Sequence, residues 1–223
     1  MVETLNSVDS SHFTALPRKT IDLNTFSYKD AYALAEEVRG QLGVGDYPAT
    51  SLVKILEEKY GIKFFFNELG GNGSAAASAS EYGLCILISA CEPAWRQHFG
   101  IAHELFHIIT WDDCLIKQII DDQTLRNLNE KLANAFAAGL LVSTESLRRE
   151  IRSLAKPNAA GIVSIARQFE VSLEALLWRM ASIHIIGRDL AKMLNQSLSA
   201  LADYLKNFGL AEVSNNEITI SNS

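Results

Sequence analysis

The feature that most constrains the fold is the stretch from Pro93 to His107, which predicts one amphipathic helix. Pro93 suits a helix start, and apolar residues follow it at helical spacing: Trp95, Phe99, Ala102 and Phe106. His103 and His107 are four residues apart, so their imidazoles lie on one face of this helix. The fold must therefore bury one side of a helix whose other side presents a histidine pair.

This histidine pair predicts a metal centre. Two imidazoles on one helix face can bind a single zinc ion, and a catalytic zinc site needs a third protein ligand and an open position for water. Glu104 lies about 100° around the helix from His103, too far to be that ligand but within reach of a bound water. We therefore predict one zinc per chain, with Glu104 as the general base.

The third ligand must come from another part of the chain, and Glu130 on the next predicted helix is our prediction. It lies 23 residues beyond His107, which leaves room for a loop and an antiparallel return. Small residues on this helix allow close packing of two backbones: Ala133, Ala135, Ala137, Ala138 and Gly139. The competing ligands are Asp112, Asp113, Asp121 and Asp122, which more simply solvate and cap the connector.

The remaining pattern predicts an α+β fold with a small antiparallel sheet and a helical C-terminal part. Ser27 and Asp30 resemble a capping box, a second helix spans residues 51–61, and Thr124 is expected to cap the Glu130 helix. Strands are predicted at residues 62–66 and 82–89, the latter as an edge for substrate, with a mobile loop at 70–80 between them. Further helices are expected at 161–169, 172–182 and 188–208.

Composition argues against bulk binding to nucleic acid or membrane surfaces, since the net charge is −6 and the sequence pI is about 5.4. Residues 1–20 have no apolar segment, and three cysteines at irregular spacing suggest a reducing compartment, so we expect a cytoplasmic protein. Cys85 and Cys91 are expected to pack as small apolar residues and His184 as a core histidine. His98 points to another side of the helix, with a structural or substrate-side role.

Two blocks, residues 96–107 and 130–138, together resemble the ImmA/IrrE metallopeptidases, and the resemblance extends from about Asp30 to Met180. It implies a zincin-like catalytic domain in which His103, His107 and Glu130 hold zinc and Glu104 is the catalytic base. It also implies a protein substrate, a helix-turn-helix repressor of the Xre class, whose cleavage relieves repression in mobile elements or in the stress response. Two positions depart from the family pattern: Phe106 replaces a usual Gly, and Val142-Ser143 replaces Met-Pro.

Residues 165–176 read like a helix-turn-helix, with Ser172 as the cap of its second helix. Between Arg148 and Lys192 there are eight Lys or Arg against four Asp or Glu, a local net charge of +4. DNA contact through residues 161–182 is therefore one hypothesis, and a helical pair packed on the catalytic domain is the simpler one. A regulator that binds a repressor or toxin without cutting it is the leading alternative to a peptidase.

The predicted domain organisation has four parts. They are a flexible segment at residues 1–20, a zinc metallopeptidase domain at 21–156, a helical subdomain resembling a helix-turn-helix at 157–211, and a polar tail at 212–223.

Overall fold

The computed structural model describes residues 13–69, 74–80, 83–154, 159–207, 211–214 and 217–220. The chain forms two compact units that divide between Val171 and Ser172. The described part of the first unit contains seven α-helices: α1 (Tyr28–Leu42), α2 (Leu52–Tyr60), α3 (Ala94–Thr110), α4 (Asp113–Asp121), α5 (Gln123–Leu141), α6 (Thr144–Ser153) and α7 (Ala159–Gln168). It also contains three strands: β1 (Lys63–Asn67), β2 (Ala75–Ser80) and β3 (Gly83–Ser89). The protein is thus a mixed α+β fold, mostly helical, with a small sheet.

Local capping chemistry sets the helix ends. The predicted capping box of α1 is confirmed, because the Ser27 side chain accepts from the Asp30 N–H while the Asp30 carboxylate accepts from the Ser27 N–H. Gly43 and Gly61 end α1 and α2 in the left-handed conformation that glycine adopts without strain. The predicted cap of α5 is wrong: Asp122, not Thr124, accepts from the first free N–H groups.

The connector between α3 and α5 contains a helix that the sequence pattern did not predict. Asp112 accepts from the N–H of Leu115 and begins α4, so two of the four connector aspartates are helix caps. The capping role predicted for these acids is therefore confirmed at Asp112 and Asp122. A further break occurs at Val142 and Ser143, where Ser143 caps α6.

The sheet differs from the prediction in two respects. Its strand order is β1-β3-β2, with β1 parallel and β2 antiparallel to β3, so it is mixed rather than antiparallel. The predicted mobile loop at residues 70–80 is wrong over 75–80, which form β2; residues 70–73 lie outside the described residues. As a result β3 is the central strand, and the free edge expected for it belongs to β2.

The core of the first unit lies between α1, α3 and α5. Helix α1 packs along α5, and α3 packs on α5 and on β2. A Cβ added at Gly139 of α5 would lie only 2.9 Å from the Ala35 Cβ of α1, so glycine allows the closest approach of these helices. Phe106 and Phe136 are fully buried with ring centroids 5.5 Å apart, which packs α3 tightly against α5, and the Phe106 ring also lies 5.7 Å from the His107 ring.

The second unit contains α8 (Leu173–Ser182), α9 (Arg188–Asn207), β4 (Ala211–Ser214) and β5 (Glu217–Ile220). The two strands pair antiparallel, and all of their residues except Ala211 lie within the region expected to be a polar tail. His184 does not occupy the core as predicted, because it is exposed in the turn after α8 with a φ of 61°. No helix among the described residues is long and apolar enough to cross a membrane.

Candidate metal centre

The structure brings His103, His107 and Glu130 together on the facing sides of α3 and α5. The His103 Nε2 atom lies 3.1 Å from Glu130 Oε2, and the His107 Nε2 atom lies 3.5 Å from Glu130 Oε1. The two Nε2 atoms are themselves 3.1 Å apart. All three predicted ligands therefore converge, and within the described residues they form a group that can hold a metal ion.

The donor set fits zinc. Two imidazole nitrogens and one carboxylate are a common ligand set of catalytic zinc sites. Ligand atoms at about 2.0–2.1 Å in a tetrahedral arrangement lie roughly 3.3 Å from one another. The observed separations of 3.1, 3.1 and 3.5 Å bracket this value, so the three groups need little rearrangement to share one ion.

The electrostatics of the centre favour a positive charge. Burial alone lowers the pKa of His103, but its hydrogen bonds to Glu130 and Asn134 and the nearby charges of Glu104 and Glu130 outweigh burial and raise that pKa. The hydrogen bonds from His103 and His107 hold the pKa of Glu130 well below its ordinary range. The carboxylate therefore stays ionised, as a metal ligand must.

Helix α5 also supplies two carboxamides behind the histidines. The Nδ1 atom of His103 lies 2.9 Å from Asn134 Oδ1, and the Nδ1 atom of His107 lies 3.3 Å from Asn129 Nδ2. Both rings thus turn Nε2 toward the candidate metal position and Nδ1 toward an asparagine. A fixed partner at one ring nitrogen sets the tautomer and orientation of the other.

Glu104 is held from the sheet side. Its Oε2 atom accepts a hydrogen bond from the Ala77 N–H at 2.8 Å. In the β2–β3 register the N–H groups of Ala75, Ala77 and Ala79 alternate with those that pair with β3, so they face the free edge of β2. The carboxylate predicted to act on water is therefore outside the ligand set and fixed by backbone.

A glycine allows β2 to reach Glu104. A Cβ added at Gly100 of α3 would lie 3.1 Å from the Ala75 Cβ, closer than side chains normally pack. Gly100 is one turn before Glu104 on α3, so the strand crosses the helix close to the backbone at this point. The missing side chain at Gly100 therefore lets β2 lie close enough to α3 for the Ala77 N–H to reach the Glu104 carboxylate.

The other predicted residues lie apart from this group. None of the four competing aspartates belongs to the candidate metal group that the described residues form. The Nδ1 atom of His98 lies 2.8 Å from Glu170 Oε2, which ties α3 to the end of α7 and fits a structural role. Cys85 is half-buried, whereas Cys91 is exposed, so the packing expected for Cys91 is wrong.

Sequence reasoning missed Asn129 and the Ala77 N–H as parts of this site. Asn129 precedes Glu130, and an asparagine beside a predicted ligand on a helix packed against the histidines is a signal for an orienting group. The Ala77 contact has no such signal, because any residue except proline can provide a backbone N–H.

Comparisons with known proteins agree with this architecture. The family described as the IrrE N-terminal-like domain has a model that matches residues 57–181. Radiation response metalloprotease IrrE of Deinococcus radiodurans is 27% identical over 171 residues, 74% of this chain and 51% of that protein, so the chain spans about half the length of this relative.

A solved structure described as a Mycobacterium tuberculosis transcriptional regulator has a TM-score of 0.52 at 18% identity, covering 71% of this chain and 48% of that one. At that identity the likeness concerns the fold alone. The family model, in contrast, covers more than half of the chain and includes every residue of the candidate centre. The chain therefore belongs to the IrrE N-terminal-like domain family.

Proposed function

We propose that the protein is a zinc-dependent endopeptidase with a zincin-like catalytic centre. The observation that carries the proposal is the convergence of His103, His107 and Glu130 while Glu104, next to His103, stays outside the ligand set. One carboxylate is thus committed to the metal, and a second is available for proton transfer. Metal-assisted amide hydrolysis needs both groups, a carboxylate that binds the metal and a general base that acts on water.

His103, His107 and Glu130 would hold the zinc ion, which would supply a Lewis acid beside the attacking water. Glu104 accepts the proton of that water and later delivers it to the leaving amide nitrogen. Its Oε2 atom is held by the Ala77 N–H, so we assign the proton transfers to Oε1. The backbone bond keeps the carboxylate oriented through both transfers without adding a charge near it.

We place the substrate along the free edge of β2. Outward-facing backbone groups at Ala75 and Ala79, with the carbonyl of Ala77, offer main-chain hydrogen bonds to an extended segment, as edge strands commonly do. The strand is made only of alanine and serine, so no large side chain on it obstructs an approaching peptide. This replaces the edge expected at residues 82–89, because β3 (Gly83–Ser89) is the central strand of the sheet.

The proposed substrate is a regulatory protein in the cytoplasm, an Xre-type helix-turn-helix repressor whose cleavage derepresses stress-response or mobile-element genes. Support for a regulatory substrate comes from the similarity to a relative named as a radiation response metalloprotease. Its whole length is about twice the part that this chain matches, so the substrate class is proposed for this chain.

DNA contact through residues 161–182 remains a hypothesis of lower rank. Arg179, which contributes to the local positive charge, is only 1% exposed and so does not present its guanidinium to a phosphate backbone. Steep salt-dependent DNA binding by the full chain, absent from a variant with Arg167→Ala, would support it. Arg167 is exposed on α7.

The test is a cleavage assay in which a separately purified Xre-type repressor is incubated with zinc and with the wild type, Glu104→Gln or Glu37→Gln. Glu37 is an exposed carboxylate on α1 and serves as a matched control. We expect the wild type and Glu37→Gln to cut the repressor, and Glu104→Gln to bind zinc normally while losing at least about 100-fold in rate. Zinc content is measured on each sample.

Two outcomes would contradict the peptidase. If Glu104→Gln still cleaves the repressor, Glu104 is not the general base of the reaction. A zinc-loaded wild type that binds the repressor without cutting it would favour the alternative of a regulatory binding protein, which uses the same fold to hold a repressor or toxin.

A further inference from the structure

Asn129 is a buried polar residue beside the candidate metal centre, and the proposed chemistry leaves it without a role. It lies on α5, directly before the ligand Glu130, and its side chain is 2% exposed. Its amide nitrogen is 3.3 Å from His107 Nδ1, while its amide oxygen is buried without a hydrogen-bond partner. A buried acceptor with no donor is costly, so its position needs an explanation.

The direction of the His107 ring decides which amide atom must face it. The Nε2 atom of His107 points to Glu130 and His103, so Nε2 is the atom that would bind the metal. A neutral imidazole that binds metal through Nε2 carries its proton on Nδ1. Nδ1 is then a donor, and it requires an oxygen rather than an NH₂ group opposite it.

A half-turn of the Asn129 amide supplies that oxygen. Amide oxygen and nitrogen are nearly identical in shape, and their assignment follows from the hydrogen-bond network. After the turn Oδ1 faces His107 Nδ1 and Nδ2 takes the former position of Oδ1, so one amide atom lacks a protein partner in either orientation and the donor at His107 Nδ1 decides between them. The corresponding pair at His103 already has this arrangement, with Asn134 Oδ1 2.9 Å from Nδ1.

We propose that Asn129 is a positioning residue that accepts a hydrogen bond from His107 Nδ1–H through Oδ1 and so fixes His107 as an Nε2 ligand. Helix α5 then provides one metal ligand, Glu130, and two amide acceptors. Asn134 accepts from His103 and Asn129 accepts from His107. The acceptor at His107 is buried and the one at His103 is exposed, so solvent can replace Asn134 but not Asn129. Asn129 is therefore the more important of the two.

This inference rests on the metal site proposed above, and the experiment separates the two. The zinc dissociation constant of the full chain is measured by competition with a chelator for the wild type, Asn129→Leu, Asn129→Asp and Asn134→Leu. We expect Asn129→Leu, which keeps the volume but has no acceptor, to bind zinc about 10- to 100-fold more weakly. Asn129→Asp restores an acceptor and keeps affinity within about threefold, and Asn134→Leu loses less than Asn129→Leu.

The matched control is Asn127→Leu, on the same helix, where the side chain is exposed and bonds only locally to Gln123. Equal zinc affinity for Asn129→Leu and the wild type would overturn the inference while leaving the metal site intact. A wild type that binds no zinc would overturn both.

A second measurement needs no variant and no metal. Nitrogen NMR of the metal-free wild type reports which ring nitrogen of His107 carries the proton. A proton on Nδ1, protected from solvent exchange, supports the assignment. A proton on Nε2 alone would overturn it, because Asn129 would then donate to the ring as the amide is now oriented.

Discussion

The two faces of the α3–α5 pair are built on opposite principles. On the inner face Phe106 and Phe136 are fully buried, and Gly139 lets α5 approach α1. On the outer face the Glu130 side chain is 53% exposed, and the proposed ligands are held by hydrogen bonds to neighbouring polar groups. Packing thus places the helices, and hydrogen bonds place the functional atoms.

Substitutions on the two faces should therefore change different properties of the protein. A change on the inner face alters the free energy of unfolding, because close-packed interiors accommodate neither voids nor extra volume well. A change on the outer face alters metal affinity or rate with a small effect on folding in the absence of metal. The following predictions test how strictly this separation holds.

The largest expected effect is on the inner face. Phe106→Ala removes a ring that packs on Phe136 and Phe26, and we expect it to lower the free energy of unfolding by about 3–5 kcal/mol. Denaturant unfolding of the metal-free protein measures it. The control Phe65→Ala, in a half-exposed position on β1, should cost less than about 1 kcal/mol. Equal losses for the two variants would contradict the packing role.

On the outer face, zinc itself should stabilise the fold. At a free zinc concentration 100 times the dissociation constant, the wild type should gain about 2.7 kcal/mol against unfolding. His103→Ala removes a ligand and should abolish this gain, whereas Glu104→Gln, outside the ligand set, should retain it. Thermal unfolding with and without zinc measures this gain in stability. If His103→Ala shows the full gain, His103 is not a zinc ligand.

Gly139→Ala tests the closest helix contact. The added Cβ would lie 2.9 Å from the Ala35 Cβ and 3.0 Å from the Tyr32 ring, so α1 and α5 must separate slightly. We expect a loss of about 1–3 kcal/mol in the free energy of unfolding. The matched control Gly40→Ala, with nothing within 4 Å of the new Cβ, should gain up to about 1 kcal/mol. A loss in both variants would point to a backbone effect instead.

The smallest expected effect concerns the backbone donor to Glu104. Ala77→Pro removes that N–H without breaking the ladder with β3, because the group faces the free edge of β2. A hydrogen bond to a charged group contributes about 1.5 kcal/mol, so the cleavage rate should fall about tenfold with zinc affinity unchanged. Ala79→Pro removes an edge N–H that is proposed to contact substrate but does not bond to Glu104, so it measures the substrate contribution alone. A fall in Ala77→Pro no larger than that in Ala79→Pro would assign the effect to substrate contact.

The parts of the fold that the sequence predicted depend on local geometry. The capping box at Ser27 and the spacing of His103 and His107 need only the helix repeat, and the structure has both features. The convergence of Glu130 with the histidines followed from a second helix returning over the first. Its role in binding metal, like that of the histidines, remains a prediction.

The failures concern residues whose state is decided by distant neighbours. Residues 75–80 are small and flexible by composition, and they become a strand only because β3 pairs with them and Gly100 leaves room beside α3. His184 sits in an apolar stretch, yet that stretch is a turn and leaves its ring exposed. Thr124 was a reasonable cap by type, but Asp122 reaches the free N–H groups first.

The proposed ligands and their amide partners all lie between His103 and Asn134, on neighbouring helices joined by α4. Contacts so near in sequence lose little chain entropy when they form, whereas the contact of α1 with α5 spans most of the first unit. During synthesis the whole coordination set exists once α5 has been made, before any residue of α8 or α9. The proposed zinc could therefore be bound by a growing chain, and it would then guide folding as well as serve the proposed catalysis.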